Sequence, residues 1–573
     1  MFELSDIKQN LINSDGNLLV LGGPGSGKTT IALLKAQHEI YKGVLKNGQK
    51  ILFLSFARTT ISRVEEQLSN LKIGNDIRQY VEINTYHGFT WEILKAYGYL
   101  LCNRKQIKLL PPPDAAALLV EVEDKESEKR RLFYEDGILH FDLFAELFAT
   151  IIQQSNTIHH IVCNCYPIFI FDEFQDTNSF EWEFIKLLGL YSRIIALADA
   201  EQRIFEFRGA DPERINDYIK AFNPTIYDFG TENNRSNGTD IVKFGNDLLS
   251  GSISKQSYND VECIYYSAIK GHLHKDLKLQ IFKSLNRIHT AHNWSLAILV
   301  PTKLLMLQVS DYLNNKQEFK NGKTLHKIPH EVAIEQAALS LAGVFIAGTL
   351  EPGDPDLEML EKLINNLNEY IRGRKGGEKI SQKDLSLSKS LVQYLTTRKV
   401  SKNKKELQEC VNLSKICSNI NFTGNPNDDW CTVREIIKNS QLDIFKQLAQ
   451  DASYLRLLHH GSKLQSDLAT LWREQGNYSG AVKLVQNALL QEHFNKTTKI
   501  SRGVQIMTMH KAKGKEFSEV IIYEGINTGK IVKDNSNLKI LNEAKRLLRV
   551  AITRAEKRTT ILTPSWDVCP LLK

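Results

Sequence analysis

Two groups of residues in this chain have the types and spacing to handle phosphate. Gly22, Gly23, Pro24, Gly25, Ser26, Gly27, Lys28 and Thr29 read G-x-x-x-x-G-K-[ST], placed between a short apolar run and a helical one. Glycines at that spacing let successive backbone N–H groups face one phosphate, and the following helix N-terminus adds positive potential. Lys28 is then placed to reach the β- and γ-phosphates of a nucleotide such as ATP, and Thr29 to ligate Mg²⁺. The second group is Phe169-Ile170-Phe171-Asp172-Glu173, an apolar run ending in two acids. Asp172 suits the metal ion, and Glu173 suits a general base that orients the attacking water. Together they predict transfer of a phosphoryl group to water.

The elements that must carry these groups follow from hydrophobic patterning. Runs rich in Val, Ile, Leu and Phe recur at Leu18 to Leu21, Ile51 to Phe56, Ile168 to Phe171, Ile194 to Ala198, Leu296 to Val300, Val504 to Thr508 and Val520 to Tyr523, with helical stretches between them. Short, wholly apolar runs alternating with helices predict α/β units with parallel sheets covered on both faces. Four runs precede residue 200 and three follow residue 290, so two such units are expected, the second interrupted from about residue 310 to 500. Asp354-Pro355 reads as a helix start, and Leu357, Leu360, Leu363, Ile364, Leu367, Tyr370 and Ile371 then recur at spacings of three and four, which predicts an inserted helical domain. Gln475 to Leu489 is similar to the turn and second helix of a tetratricopeptide unit; one copy has no neighbour to stack on, and an ordinary helical hairpin is expected. The triple proline Pro111 to Pro113 marks a break within a small segment from about 92 to 132.

Composition sets the outer bounds. With 573 residues, 42% of them hydrophobic, the chain supports several cores and is neither a disulfide scaffold nor collagen-like. The first twenty residues carry no signal peptide or membrane span, so a soluble, cytoplasmic protein without a membrane partner is expected. Eight cysteines are sparse for this length. Cys163 and Cys165 are read as lying in one strand, too close to bridge, and Cys410, Cys417 and Cys431 lack a C-x-x-C pair and are read as buried or incidental thiols. The net charge of +7 is mild, but Arg372 to Lys405 holds eleven Lys or Arg against only Glu378 and Asp384. That run is either a phosphate-contacting surface or a solvated loop.

The motifs, taken in order, resemble those of UvrD/Rep/PcrA-type superfamily 1 DNA helicases. Asp172 to Thr177 (D-E-F-Q-D-T) resembles the family's D-E-[YF]-Q-D-[TS], and Ala198 to Ala210 resembles G-D-x-x-Q-x-I-Y-x-[FW]-R-G-A. Val504 to Phe517 (V-Q-I-M-T-M-H-K-A-K-G-K-E-F) resembles V-x-L-M-T-x-H-x-A-K-G-L-E-F, and Glu543 to Ala555 resembles E-E-R-R-L-x-Y-V-A-x-T-R-A. Ser55 to Arg58, Thr85 to Phe89 and Thr231 to Ser236 resemble its T-F-T-N, T-F-H-x-F and x-x-N-Y-R-S segments.

The resemblance implies two RecA-like parallel-sheet motor domains, residues 1–91 with 133–230 and residues 231–310 with 500–573. The small first insertion would be 92–132, and the larger, mostly helical second insertion 311–499. It implies an ATP-dependent helicase or translocase moving 3′ to 5′ on single-stranded DNA and opening tailed duplexes. Gln9 would read adenine, Glu516 the ribose and Gln202 the γ-phosphate, with Arg235 and Arg554 arriving at the γ-phosphate from the second domain. Phe56, Phe205 and Phe207 would stack on bases beside Thr85, His87 and His510. The chain departs from the family pattern at Asn234 and Arg549, where Tyr is usual, and at Lys515, where Leu is usual. The alternative is a DNA-stimulated ATPase subunit of a nuclease, repair or antiviral-defence complex that moves on DNA without processive unwinding. Any nuclease is then expected on another polypeptide, since only a short stretch follows Arg554.

Overall fold

The computed structural model describes residues 5–56, 64, 79–199, 211–230, 235–253, 257–267, 273–290, 293–318, 324–332, 336–376, 380–397, 405–453, 463–494, 502–526, 529–532 and 537–572. The chain divides into two units, one made of Met1–Leu94, Ala145–Ala333 and Lys496–Lys573, the other of Lys95–Phe144 and Ile334–Asn495.

The first unit holds two six-stranded sheets, each wholly parallel. The order in one is Val81–Thr85, Ile51–Ser55, Ile168–Phe171, Arg193–Ala198, Leu18–Leu21, Thr225–Asp228. In the other it is Glu331–Val332, Gly503–Thr508, Ser295–Val300, Phe517–Tyr523, Ala555–Pro564, Val261–Tyr266. All seven apolar runs in the sequence are strands here. The strands that patterning missed are mostly edge or mixed ones: Thr225–Asp228 is largely exposed, and Ala555–Pro564 begins with Glu556, Lys557 and Arg558. In a parallel sheet every strand ends on the same edge, and loops leaving that edge form the ligand crevice. The phosphate loop, Asp172 and Asp199 all lie just past the ends of adjacent strands in the first sheet.

The cores explain the runs. Leu18, Val20, Phe53, Ile170, Ile195 and Leu197 are buried together with Ile31, Ala32 and Ala36 of the helix Lys28–Tyr41. Ala297, Leu299, Met507, Val520 and Ile522 pack similarly against Leu548 and Ile552 of the helix Leu538–Ile552. Cys163 and Cys165 are on the helix Asn156–Cys165, not in a strand, because the segment carries a helical apolar period and Ser155 caps it by accepting from Ile158 N–H.

The second unit is mostly helical, with the predicted Leu360, Leu363, Ile364, Leu367, Tyr370 and Ile371 on the buried side of the helix Glu358–Gly373; Leu357, just before it, is exposed. Helices Lys463–Gln475 and Ala481–Phe494 form a single hairpin around Tyr478. Cys410 and Cys417 face the core, where burial pushes the Cys417 thiol up to about 12, and Cys431 is exposed. The earlier segment of this unit runs from Lys95 to Phe144, and in it the strand Lys108–Leu110 pairs with Ile138–His140 across the helix Lys125–Asp136. Its helix Pro112–Leu118 lies against Glu358–Gly373, where a Cβ on Gly373 would meet Pro113 O at 2.9 Å. Arg372 clamps the pair, donating to Ala117 O at 2.9 Å and to Glu121 at 2.5 Å. The basic run is therefore partly committed within the protein: Arg374 pairs with Asp384 at 3.0 Å, while Lys383 and Lys389 are exposed. Lys379, Arg398, Lys399, Lys402 and Lys404 lie outside the described residues.

Candidate functional site

The phosphate loop leaves the strand Leu18–Leu21 and turns into the helix Lys28–Tyr41 through Gly27, at φ 90°, a conformation that favours glycine. Gly22 is needed for closeness: a Cβ there would stand 2.7 Å from Ser26 Oγ. Lys28 Nζ donates to Gly22 O at 2.5 Å and to Gly23 O at 3.2 Å, folding back over the loop it is expected to serve. Ser26 and Pro24 are buried, and Thr29 is half-buried at the helix start.

Asp172 follows the strand Ile168–Phe171, with its Oδ2 accepting from Ser55 Oγ at 3.2 Å across the neighbouring strand. Burial, and then the charge of Glu173, pushes the Asp172 carboxyl upward, with Lys28 opposing. A buried carboxylate beside a threonine-bearing phosphate loop is the hard oxygen donor set that a divalent cation stabilises. Glu173 has φ 53°, left-handed and strained for a residue with a Cβ. Burial works against its charge too, yet Lys513, Lys28 and Arg554 outweigh it, so the carboxyl sits below its usual range. The ionised form is the one a general base needs. Gln175 Nε2 donates to Glu173 Oε2 at 2.6 Å, and Gln175 Oε1 accepts from Asp199 N–H at 3.0 Å, which fixes both side chains.

Lys513 falls within the A-K-G of Val504 to Phe517 and was not among the expected site residues, yet it is a cation that reaches Glu173. It follows the strand Gly503–Thr508 through a short turn, lies 3.6 Å from Glu173 Oε2 and forms a closer ion pair with buried Asp176. Its position within a motif was the available signal; its partner was not readable, since 340 positions separate Lys513 from Glu173.

The two expected arginines occupy different settings. Arg554 is 2% exposed, with Nε donating to Val550 O at 3.0 Å, and its charge acts on Glu173. Arg235 pairs with Glu516 and donates to Thr553 O at 3.2 Å. Glu516, read from the resemblance as a ribose contact, thus accepts from Arg235. Gln9 is exposed on the helix Asp6–Asn13.

Of the residues expected to contact the DNA strand, Phe56 is half-buried and stacks on Tyr86 with ring centroids 4.2 Å apart and planes 9° from parallel. One ring face is therefore taken by Tyr86. Thr85 Oγ1 accepts from Gly88 N–H at 2.8 Å and holds the start of the helix Tyr86–Tyr97; His87 is half-buried within that turn, and His510 is exposed. Gln202, Phe205, Phe207 and Asn234 lie outside the described residues.

Comparison with known proteins adds to this geometry. The family model described as the UvrD/REP helicase N-terminal domain matches residues 4–135 and 130–223, and that of the UvrD-like helicase C-terminal domain matches residues 282–565. The chain is 24% identical to the ATP-dependent DNA helicase Rep of Buchnera aphidicola subsp. Schizaphis graminum, over 96% of this chain and 90% of that protein. It is 21% identical to ATP-dependent DNA helicase Rep of Escherichia coli, over 95% and 88%, and 20% identical to ATP-dependent DNA helicase PcrA of Staphylococcus aureus, over 95% and 80%. Among the described residues no helix is long and apolar enough to cross a membrane.

Proposed function

Since the chain belongs to the UvrD/Rep family of helicases and is an ATP-dependent DNA helicase, we propose that it hydrolyses ATP at the loop around Lys28 and thereby moves 3′ to 5′ along single-stranded DNA, separating tailed duplexes. The observation that carries the site reading is the setting of Glu173, whose Oε2 lies 3.6 Å from Lys513 Nζ, just past a strand of the second sheet, and accepts from Gln175 Nε2 at 2.6 Å.

In this reading Glu173 accepts the proton of the attacking water, and Arg554 and Arg235 stabilise charge on the transferred phosphoryl group. Lys28 exchanges its carbonyl partners Gly22 and Gly23 for phosphate oxygens, a trade of neutral acceptors for charged ones that favours the bound state. Thr29 and Asp172 would hold Mg²⁺, which when bound neutralises phosphate charge and the buried carboxylate together. Coupling to DNA follows from connectivity: Lys513 and His510 share one short turn, so a shift of that turn by a bound strand moves the cation that sets Glu173. Phe56, through its ring face away from Tyr86, together with Phe205, Phe207, Thr85, His87 and His510, would contact the strand.

The test is hydrolysis with and without single-stranded DNA, alongside displacement of strands from 3′-tailed and 5′-tailed duplexes. Stimulated hydrolysis with displacement from the 3′-tailed substrate is expected. Stimulation without displacement would mark instead a DNA-stimulated ATPase subunit working within a larger complex, and absence of stimulation would refute the DNA-coupled reading.

A further inference from the structure

Arg549 stands where the family motif usually has Tyr, and its surroundings are those of a cation without enough to bind. It lies on the helix Leu538–Ile552, 4% exposed, and a Cβ on Gly245 would stand 3.2 Å from its Cγ, so the stem of the side chain runs close over that glycine. Its Nη2 donates to Asn246 Oδ1 at 3.1 Å and lies 4.0 Å from where a Cβ on Gly23 of the phosphate loop would be. Its Nη1 is 3.9 Å from Asp199 Oδ1, an ion pair too long to be a hydrogen bond. Among the described residues its Nε and Nη1 are buried without a hydrogen-bond partner. A guanidinium has five donors in a fixed fork, and leaving two of its nitrogens unsatisfied in the interior is costly unless an acceptor arrives.

The geometry points to an anion at Gly23 as that acceptor, and to its γ-phosphate end. Asp199 N–H donates to Gln175, and Gln175 donates to Glu173, so Arg549, 3.9 Å from Asp199, stands at the end of a chain leading to the carboxylate read above as the base. We propose that Arg549 is a third phosphate-binding arginine of this enzyme, contributed by the second sheet, which takes the γ-phosphate of ATP as acceptor and so distinguishes ATP from ADP. The inference rests on the phosphate-loop reading above and extends it to a residue that this chain has in place of the family's usual one. Binding through the fork would also draw the helix Leu538–Ile552 toward Gly23, because that helix carries both Arg549 and the turn that presents Arg554.

The experiment is calorimetric titration of the full chain with the Mg²⁺ complexes of a non-hydrolysable ATP analogue and of ADP, for the wild type, Lys28→Ala, Arg549→Met and Arg549→Lys. Charge-assisted hydrogen bonds of this kind predict a roughly 10- to 100-fold weakening for the ATP analogue in Arg549→Met, with ADP changed by less than about threefold. Arg549→Lys, which keeps the charge but not the fork, is expected to fall between the two. Asp199→Asn combined with Arg549→Met removes both members of the buried pair and supplies a folded variant should the single one be unstable; it is expected to show the same loss of preference. Equal weakening for both nucleotides, or an unchanged ratio in a folded variant, overturns the inference. Failure of the wild type to bind nucleotide, or unaltered binding in Lys28→Ala, would instead overturn the phosphate-loop reading itself.

Discussion

Replacing Lys513 by Met isolates the contact that joins the turn after the strand Gly503–Thr508 to Glu173 and Asp176. The Lys513 side chain is 5% exposed and that of its partner Asp176 is 1% exposed, so the pair is fully inside the protein. Burial depresses a lysine, yet Asp176 and Glu173 hold the Lys513 ammonium above its usual range, which marks the pair as net attractive. Removing one member of a buried pair leaves the other charge uncompensated and costs about 3–5 kcal/mol. Met keeps the aliphatic stem, so little of that loss would come from packing. Lys513 is also the strongest of the groups that keep Glu173 ionised, and a positioned base contributes about 10²–10⁴ to rate, so DNA-stimulated turnover should drop by at least roughly tenfold. The two effects separate in the double variant Asp176→Asn with Lys513→Met. It removes the stranded charge and should recover most of the stability, while turnover stays low because Glu173 still lacks its cation. Urea unfolding and steady-state ATP hydrolysis measure both quantities. A wild-type unfolding midpoint in Lys513→Met, or turnover that returns with stability in the double variant, would refute the assignment.

Glu173→Gln is expected to keep ATP binding and lose turnover by about 10²- to 10⁴-fold in a single-turnover assay, whereas Lys28→Ala loses binding itself. In the helical unit, burial and then the charge of Asp114 raise Glu369 to about 7, while burial raises Asp114 to about 6. A carboxyl with a raised folded pKa binds its proton more tightly in the native state, so its stability contribution is present below about pH 4.5 and lost as pH rises through 7. Glu369→Gln should therefore raise the unfolding free energy relative to wild type by an amount that grows between pH 5 and pH 8, on the order of 2 kcal/mol at the upper end, read as a rising thermal midpoint. Within the basic run, Arg372→Ala should lower stability through the lost clamp on Ala117 and Glu121. Lys383→Ala with Lys389→Ala should instead leave stability intact and reduce the salt dependence of duplex binding by about one to two ions, if both lysines meet phosphate.

Local spacing made the glycine-rich loop and the two acids legible as local structure. Gly22 to Thr29 form a loop whose glycine conformations and helix start are set by residues a few positions apart, and Asp172 and Glu173 follow directly from the strand Ile168–Phe171. The seven apolar runs likewise announce central strands, because a strand covered on both faces has no polar positions to obscure it. The edge strand Thr225–Asp228 and the strand Ala555–Pro564 escaped that signal, since exposure or a charged start replaces the apolar run. The pairing of Lys108–Leu110 with Ile138–His140 was not readable, because it depends on a partner strand beyond a whole helix.

What the sequence by itself determined, then, is the chemistry and the class of fold: groups that act within one turn of backbone, and strands whose burial is written in their composition. Tertiary structure alone decided which charges meet. Lys513 reaches Glu173, Arg372 reaches Ala117 and Glu121, and Arg549 rather than a tyrosine faces Gly23. Each of these pairings joins positions hundreds of residues apart, and its partner is chosen by how parallel strands align their ends or, for Arg372, by how two helices pack, a geometry that no local spacing encodes.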